Sequence, residues 1–125
     1  MQKIGVLGSG SFGTAVASLA AHNADVLLLS RSEQTVLSIN NTHKHLGYDL
    51  AHNIEAISSM KVLAESCKLI FLAVPSSQFR EMMKDFAPFL TPEHFLIHCT
   101  KGFDTNFNIA GEDELKIVKD DFHVM

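Results

Sequence analysis

The residues Gly8-Ser9-Gly10-Ser11-Phe12-Gly13 carry the strongest chemical signal in the sequence. Three glycines at this spacing can cradle phosphates where a strand runs into the turn and a helix leaves it. Gly8 permits the tight turn, Gly10 has no Cβ to block an approaching pyrophosphate, and Gly13 lets helix and strand pack closely. The helix that follows offers unpaired N–H groups to the phosphates. A glycine-rich turn that merely packs a βα unit is the bland alternative. The flanking residues favour a dinucleotide.

A second group of residues refines the ligand. An NAD-selective site usually places Asp or Glu about 20 residues further on, against the ribose 2′-hydroxyl. Here the second strand ends in Ser30-Arg31-Ser32. A carboxylate would repel a 2′-phosphate, whereas a guanidinium flanked by hydroxyls would bind it. NADP(H) is therefore expected over NAD(H), with NAD(H) still accepted and Arg31 on the 2′-phosphate. Stacking on the adenine and a solvent-facing side chain are the alternatives for Arg31. Further along, Pro75 removes a backbone donor and turns the chain over the ligand, and Lys101 brings the only cation of the last strand end. A lysine there can hold a carbonyl, hydroxyl or phosphate oxygen, although a lysine after a strand is usually surface charge.

These residues need strands to deliver them to one edge. Lys3 to Leu7 and Val26 to Leu29 read as buried strands. Between them Phe12, Ala15, Val16, Leu19 and Ala20 fall at helical spacing over Ser11 to Asn23. A weaker helical pattern covers Ser32 to Asn40. Residues 41–58 show no period and read as a long loop, with a short strand at Lys61 to Leu63. Leu69 to Val74 is a central strand. Ser76 or Ser77 caps a helix carrying Phe79, Met82, Met83 and Phe86 on its apolar face, and Pro88 ends it. Phe95 to His98 is the fifth strand. The order predicts an α/β fold: a Rossmann-type, doubly wound, mainly parallel sheet with right-handed crossovers. Ligands of such sheets sit beyond the carboxyl ends of the strands. Residues 1–103 are expected to form the dinucleotide-binding domain, and 104–125 a polar, acidic insertion or the start of a connection, with a solvated helix over Glu112 to Lys119.

Composition excludes other classes. The 125 residues are 46% hydrophobic and 19% charged, as in a single soluble globular domain. The formal charge of -4 arises mostly at the end, where residues 101–125 hold three basic and six acidic side chains. Such a chain lacks the electrostatic footprint for nucleic acid or an anionic membrane. Cys67 and Cys99 lie far apart, so neither a disulfide framework nor a zinc site is indicated. His43, His45 and His52 share a loop without a fourth ligand and read as solvated, with no metal. Neither a signal peptide nor a membrane span is visible, so a cytoplasmic location is expected.

Gly8-Ser9-Gly10-Ser11-Phe12-Gly13-Thr14-Ala15, Ala73-Val74-Pro75-Ser76 and Thr100-Lys101-Gly102 together resemble the N-terminal domain of the NAD(P)-dependent glycerol-3-phosphate dehydrogenases, over roughly residues 3–103. The resemblance implies hydride transfer between NAD(P)H and dihydroxyacetone phosphate, giving sn-glycerol 3-phosphate for phospholipid synthesis. It implies that Ser11, Phe12, Arg31 and the Pro75 region contact the cofactor and that Lys101 touches both cofactor and substrate. Members of the family are more than twice this long and carry a second lysine, the general acid/base, in a helical C-terminal domain. The chain thus reads as an isolated or truncated cofactor domain, inactive alone. The missing half would leave apolar surface at the sheet edge, favouring a homodimer or swapping. A ketopantoate- or 6-phosphogluconate-type reductase and a non-catalytic dinucleotide-sensing module are the alternatives.

Overall fold

Five short strands pair into a parallel sheet in the computed structural model, which describes residues 3–98. In chain order the elements are β1 (Lys3–Leu7), α1 (Ser11–Ala20), β2 (Asp25–Leu29), α2 (Glu33–Thr42), β3 (Lys44–His45), β4 (Tyr48–Asp49), β5 (Ile54–Ile57), α3 (Met60–Ser66), β6 (Cys67–Leu72), α4 (Ser76–Phe86) and β7 (Phe95–His98). The sheet order is β5-β2-β1-β6-β7, and every pairing in it is parallel. The β3–β4 pair is a separate antiparallel hairpin.

Alternation along the strands supplies two cores. Leu7, Leu27 and Leu29 join Phe79, Met82, Met83 and Phe86 of α4 and Leu63 of α3 on one face. Val6, Val26 and Leu28 join Ala17 of α1 and Ile39 of α2 on the other. Strands apolar on both sides need helices on both sides, so the doubly wound, Rossmann-type architecture follows from the runs themselves. Along the β5 edge the Asn40 side chain takes the place of a neighbouring strand. Its amide donates to the Ala56 carbonyl at 2.9 Å and its oxygen accepts from the Ala56 N–H at 2.8 Å.

Four sequence expectations are corrected. The segment 61–63 is helical, part of α3, because Ser59 caps it by accepting from Val62 N–H at 3.2 Å and Leu63 and Ala64 fall on one buried side. The missing strand is β5, inside the stretch read as loop, which also holds the hairpin. α1 ends at Ala20 and buries Gly13, Thr14 and Ala17; Phe12, Val16 and Ala20 pack partly against the same core as expected, whereas Ala15 is exposed and Leu19 is 71% exposed. α4 begins after Pro75 with no side-chain cap, so Ser76 and Ser77 are its first residues, not its cap. The α4 apolar face matches expectation in full.

The corrected phase is testable by urea denaturation. Phe86→Ala, emptying a site with 0% exposure, is expected to lose about 3–5 kcal/mol. Leu19→Ser is expected to stay within about 0.5 kcal/mol of the parent, whereas a large loss would restore Leu19 to the core.

Candidate functional site

The strand order creates the site. From β1 the chain steps outward through β2 to β5, then crosses back over α3 to β6 on the other side of β1. Crossovers leave on opposite faces at this point, and a crevice opens between the carboxyl ends of β1 and β6. A cleft of about 480 Å³ lies there, lined by Gly8 to Gly13, Leu29 to Arg31, Ala73 to Pro75, Gln78 and Met82. The glycine turn, the end of β2 and the Pro75 region, expected from sequence to converge, all border it.

The glycines differ in role. Gly8 has φ +117°, and a Cβ there would stand 2.4 Å from the Ala73 carbonyl oxygen. A Cβ on Gly13 would stand 2.0 Å from the Gly8 carbonyl oxygen. Both are required by main-chain packing. A Cβ on Gly10 would meet nothing within 4 Å, so the protein itself does not demand glycine at that position. The space it keeps clear belongs to the cleft.

Helix ends around the cleft are unlike those elsewhere. α2 and α3 start under serine caps, Ser32 accepting from Thr35 N–H at 3.2 Å and Ser59 from Val62 N–H. α1 and α4, the two helices that start at the cleft, have Gly10 and Pro75 as N-caps and no side-chain cap bond. Their first N–H groups lack a side-chain cap and carry the positive end of the helix dipole, although Gln78 N–H in α4 bonds the Pro75 carbonyl at 2.9 Å. That is a polar lining suited to an anion.

Arg31 is the one cation among the described residues of the cleft lining, and it is paired. Its Nη2 donates to Asp85 Oδ2 of α4 at 2.7 Å, with both side chains about half exposed (52% and 56%). The flanking hydroxyl oxygens are engaged locally: Ser30 accepts from Ser32 N–H at 3.2 Å, and Ser32 caps α2. His45, read from sequence as a solvated histidine, instead donates from Nε2 to the Ser9 carbonyl at 2.8 Å. His43 and His52 contact each other with ring centroids 4.7 Å apart. Among the described residues no three His, Cys, Asp or Glu side chains gather as a metal site, and no helix is long and apolar enough to cross a membrane. Sequence gave no signal for His45 or Asp85, whose partners lie 36 and 54 residues away.

Two titrating groups lie away from the cleft lining. Burial pushes the Cys67 thiol up to about 11, against a smaller opposing effect of Lys3. Burial also lowers the His98 imidazole, whose ring sits 4.2 Å from that of Phe79. Lys101, Cys99 and the segment 104–125, with its expected helix, lie outside the described residues.

Comparison with known proteins points one way. Residues 3–120 match the family model described as NAD-dependent glycerol-3-phosphate dehydrogenase N-terminus. A glycerol-3-phosphate dehydrogenase (NAD(P)+) of Acinetobacter baylyi is 34% identical over 109 residues, covering 83% of this chain and 30% of the relative. One from Exiguobacterium is 34% identical over 109 residues, covering 83% and 32%. The chain thus spans about a third of the length of these relatives. The crystal structure of glycerol-3-phosphate dehydrogenase from Coxiella burnetii superposes with a TM-score of 0.71 at 26% identity, over 91% of this chain and 38% of that one. A ketopantoate reductase from Ralstonia eutropha gives 0.75 at 19% identity, over 98% and 40%, a likeness of fold alone.

The two glycine roles separate by melting temperature. Gly13→Ala is expected to lower it by roughly 10 °C or more, since a clash with backbone costs at least 2 kcal/mol. Gly10→Ala is expected to leave it unchanged within about 2 °C; equal losses would place both glycines in the packing class.

Proposed function

The chain belongs to the family of NAD-dependent glycerol-3-phosphate dehydrogenases, as its N-terminal segment, and on that premise we propose that the cleft binds the nicotinamide dinucleotide of this reductase. The observation that carries the reading is Gly10: a glycine that the fold does not need, facing open space at the start of an uncapped helix. A pyrophosphate fills that space and takes its hydrogen bonds from N–H groups the helix cannot satisfy.

Each lining segment then has a task. Gly8 to Gly13 hold the pyrophosphate, with Ser11 and Phe12 against the cofactor. Arg31, at the end of β2, lies beside the adenosine ribose and takes the 2′-phosphate of NADP(H). Pro75 and the start of α4 close the cleft from the β6 side. By the family resemblance Lys101 contacts both cofactor and substrate. The dinucleotide supplies or accepts a hydride when bound, and the protein's residues orient it and keep the phosphates in place. The proposed reaction interconverts dihydroxyacetone phosphate and sn-glycerol 3-phosphate, and it belongs to the whole-length enzyme. The 125-residue chain is expected to bind cofactor without turning over dihydroxyacetone phosphate, and measurable NADPH oxidation by it would overturn that division. The ketopantoate-type alternative gains nothing from a likeness in fold.

Cofactor preference depends on an exchange of partners. Arg31 meets the 2′-phosphate only by sharing or leaving Asp85, and the carboxylate itself repels the phosphate. Calorimetric titration with NADPH and NADH tests the site and this pair together. The parent is expected to bind both, NADPH more tightly, and Gly10→Ala to bind neither. Arg31→Ala is expected to weaken NADPH about tenfold and leave NADH unchanged. Asp85→Asn is expected to tighten NADPH about two- to fivefold, the scale of an exposed ion pair. Equal changes for the two cofactors would remove Arg31 and Asp85 from the 2′-position.

A further inference from the structure

The β3–β4 hairpin has a connection to the glycine turn that none of the lining residues explains. Its base is built from the end of α2. His43 takes the left-handed conformation (φ 54°) as C-cap, its N–H bonding the Ile39 carbonyl at 2.8 Å, and Leu50 N–H closes the hairpin onto the His43 carbonyl at 2.7 Å. Leu46 (φ 53°) and Gly47 (φ 81°) form the two-residue turn, both with the positive φ that such a tight turn requires. Leu50 anchors the far end in the core. His45 is thereby held over the Ser9 carbonyl, with its Nε2 at 2.8 Å.

A carbonyl only accepts, so His45 Nε2 carries the hydrogen, as it does in one neutral tautomer and in the imidazolium. The same carbonyl accepts from the Thr14 hydroxyl at 3.3 Å. Ser9 lies between Gly8 and Gly10, where the chain has the least steric guidance of its own. Two donors on its oxygen fix the plane of the Ser9–Gly10 peptide. Because that peptide is planar and trans, fixing the carbonyl also fixes the opposed N–H of Gly10. This N–H sits at the very residue where the cleft is kept clear.

We propose that His45 is a positioning residue for the dinucleotide: through the Ser9 carbonyl it presets the main-chain cradle of the pyrophosphate. It touches no ligand itself. The inference rests on the dinucleotide reading, and it assigns a purpose to a hairpin that packs little apolar surface of its own, since Leu46 and Tyr48 are exposed.

The test compares two ligands and three variants of the 125-residue chain by calorimetry, with folding checked by circular dichroism. NADPH spans the pyrophosphate site; adenosine 2′-monophosphate carries the adenine and 2′-phosphate but no pyrophosphate. His45→Leu is expected to weaken NADPH roughly three- to tenfold, the range for one lost hydrogen bond, and to leave adenosine 2′-monophosphate unchanged. His45→Gln, whose amide nitrogen reaches about as far as Nε2, is expected to restore most of the NADPH affinity. His45→Asn, one methylene shorter, is not, and this pair decides the matter even where the leucine variant fails to fold. Parent-like NADPH binding in His45→Leu, equal losses for both ligands, or Gln no better than Asn would each overturn the proposal. A folded parent chain that binds no NADPH would instead overturn the dinucleotide reading, and this proposal with it.

Discussion

At the head of the cleft three stretches of main chain meet with no side chain between them. The hypothetical Cβ positions show how little room there is: Gly13 would press on the Gly8 carbonyl, and Gly8 on the Ala73 carbonyl. Any side chain there would push α1 off β1, or β1 off the segment that follows β6. Strand pairing beside it has the same dependence, since the Ala73 N–H bonds the Leu7 carbonyl at 2.9 Å and the Gly8 N–H reaches the Leu29 carbonyl at 3.3 Å. The closeness of α1 to β1, and of β1 to the segment after β6, at the head of the crevice depends on that one close approach. Gly10, sitting between the two packing glycines, is left as the position whose bareness serves only the space outside.

Helix capping follows the same division of labour. Where α2 and α3 face solvent or core, a serine satisfies the first turn. At the cleft, α1 and α4 go without. Relative to a serine cap, Pro75 forgoes about 1 kcal/mol of stability and Gly10 roughly a few tenths. That loss is reasonable only where another partner takes the exposed N–H groups, and an anion is the partner with the right sign for the helix dipole. The fold thus holds unsatisfied donors at one place rather than scattering them, which is how a binding site differs from a poorly capped loop.

The sequence disclosed the parts whose signal is local. The glycine spacing, β1, β2 and the α4 stripe of Phe79, Met82, Met83 and Phe86 were all readable, because each depends on neighbours a few residues away. The face of α1 is legible only in part: Phe12, Val16 and Ala20 do pack on the core, but counting apolar residues favours Leu19 over Gly13. Close packing against the sheet selects the small residues, and leaves Leu19 in water. α3, seven residues long, is too short for its period to outweigh the strand-like look of Lys61-Val62-Leu63. β5 alternates buried and exposed positions over only four residues. His45 and Asp85 were out of reach for a different reason: a histidine in a polar loop and an aspartate on a solvated helix face acquire meaning only when the fold brings Ser9 and Arg31 to them.

Recognition in this cleft, as its described lining is built, would work at short range. Arg31 is the one cation among its described lining residues, and Asp85 pairs with it at 2.7 Å. The rest of the lining offers main-chain N–H groups and helix ends, whose influence dies away within a turn. By these described residues an anion would be selected on contact, by how well its oxygens match donors already in place. Selection by contact puts the premium on rigidity. A donor displaced by a fraction of an ångström loses much of its hydrogen bond. Hence the glycine turn is held from both sides, by backbone packing at Gly8 and Gly13 and by the two donors on the Ser9 carbonyl. Consecutive residues Ala73 and Val74 carry the restraint into opposite cores. A ligand seated across Gly10, Arg31 and Pro75 would tie those two cores together, so its binding free energy would add to the stability of the whole sheet rather than to one loop.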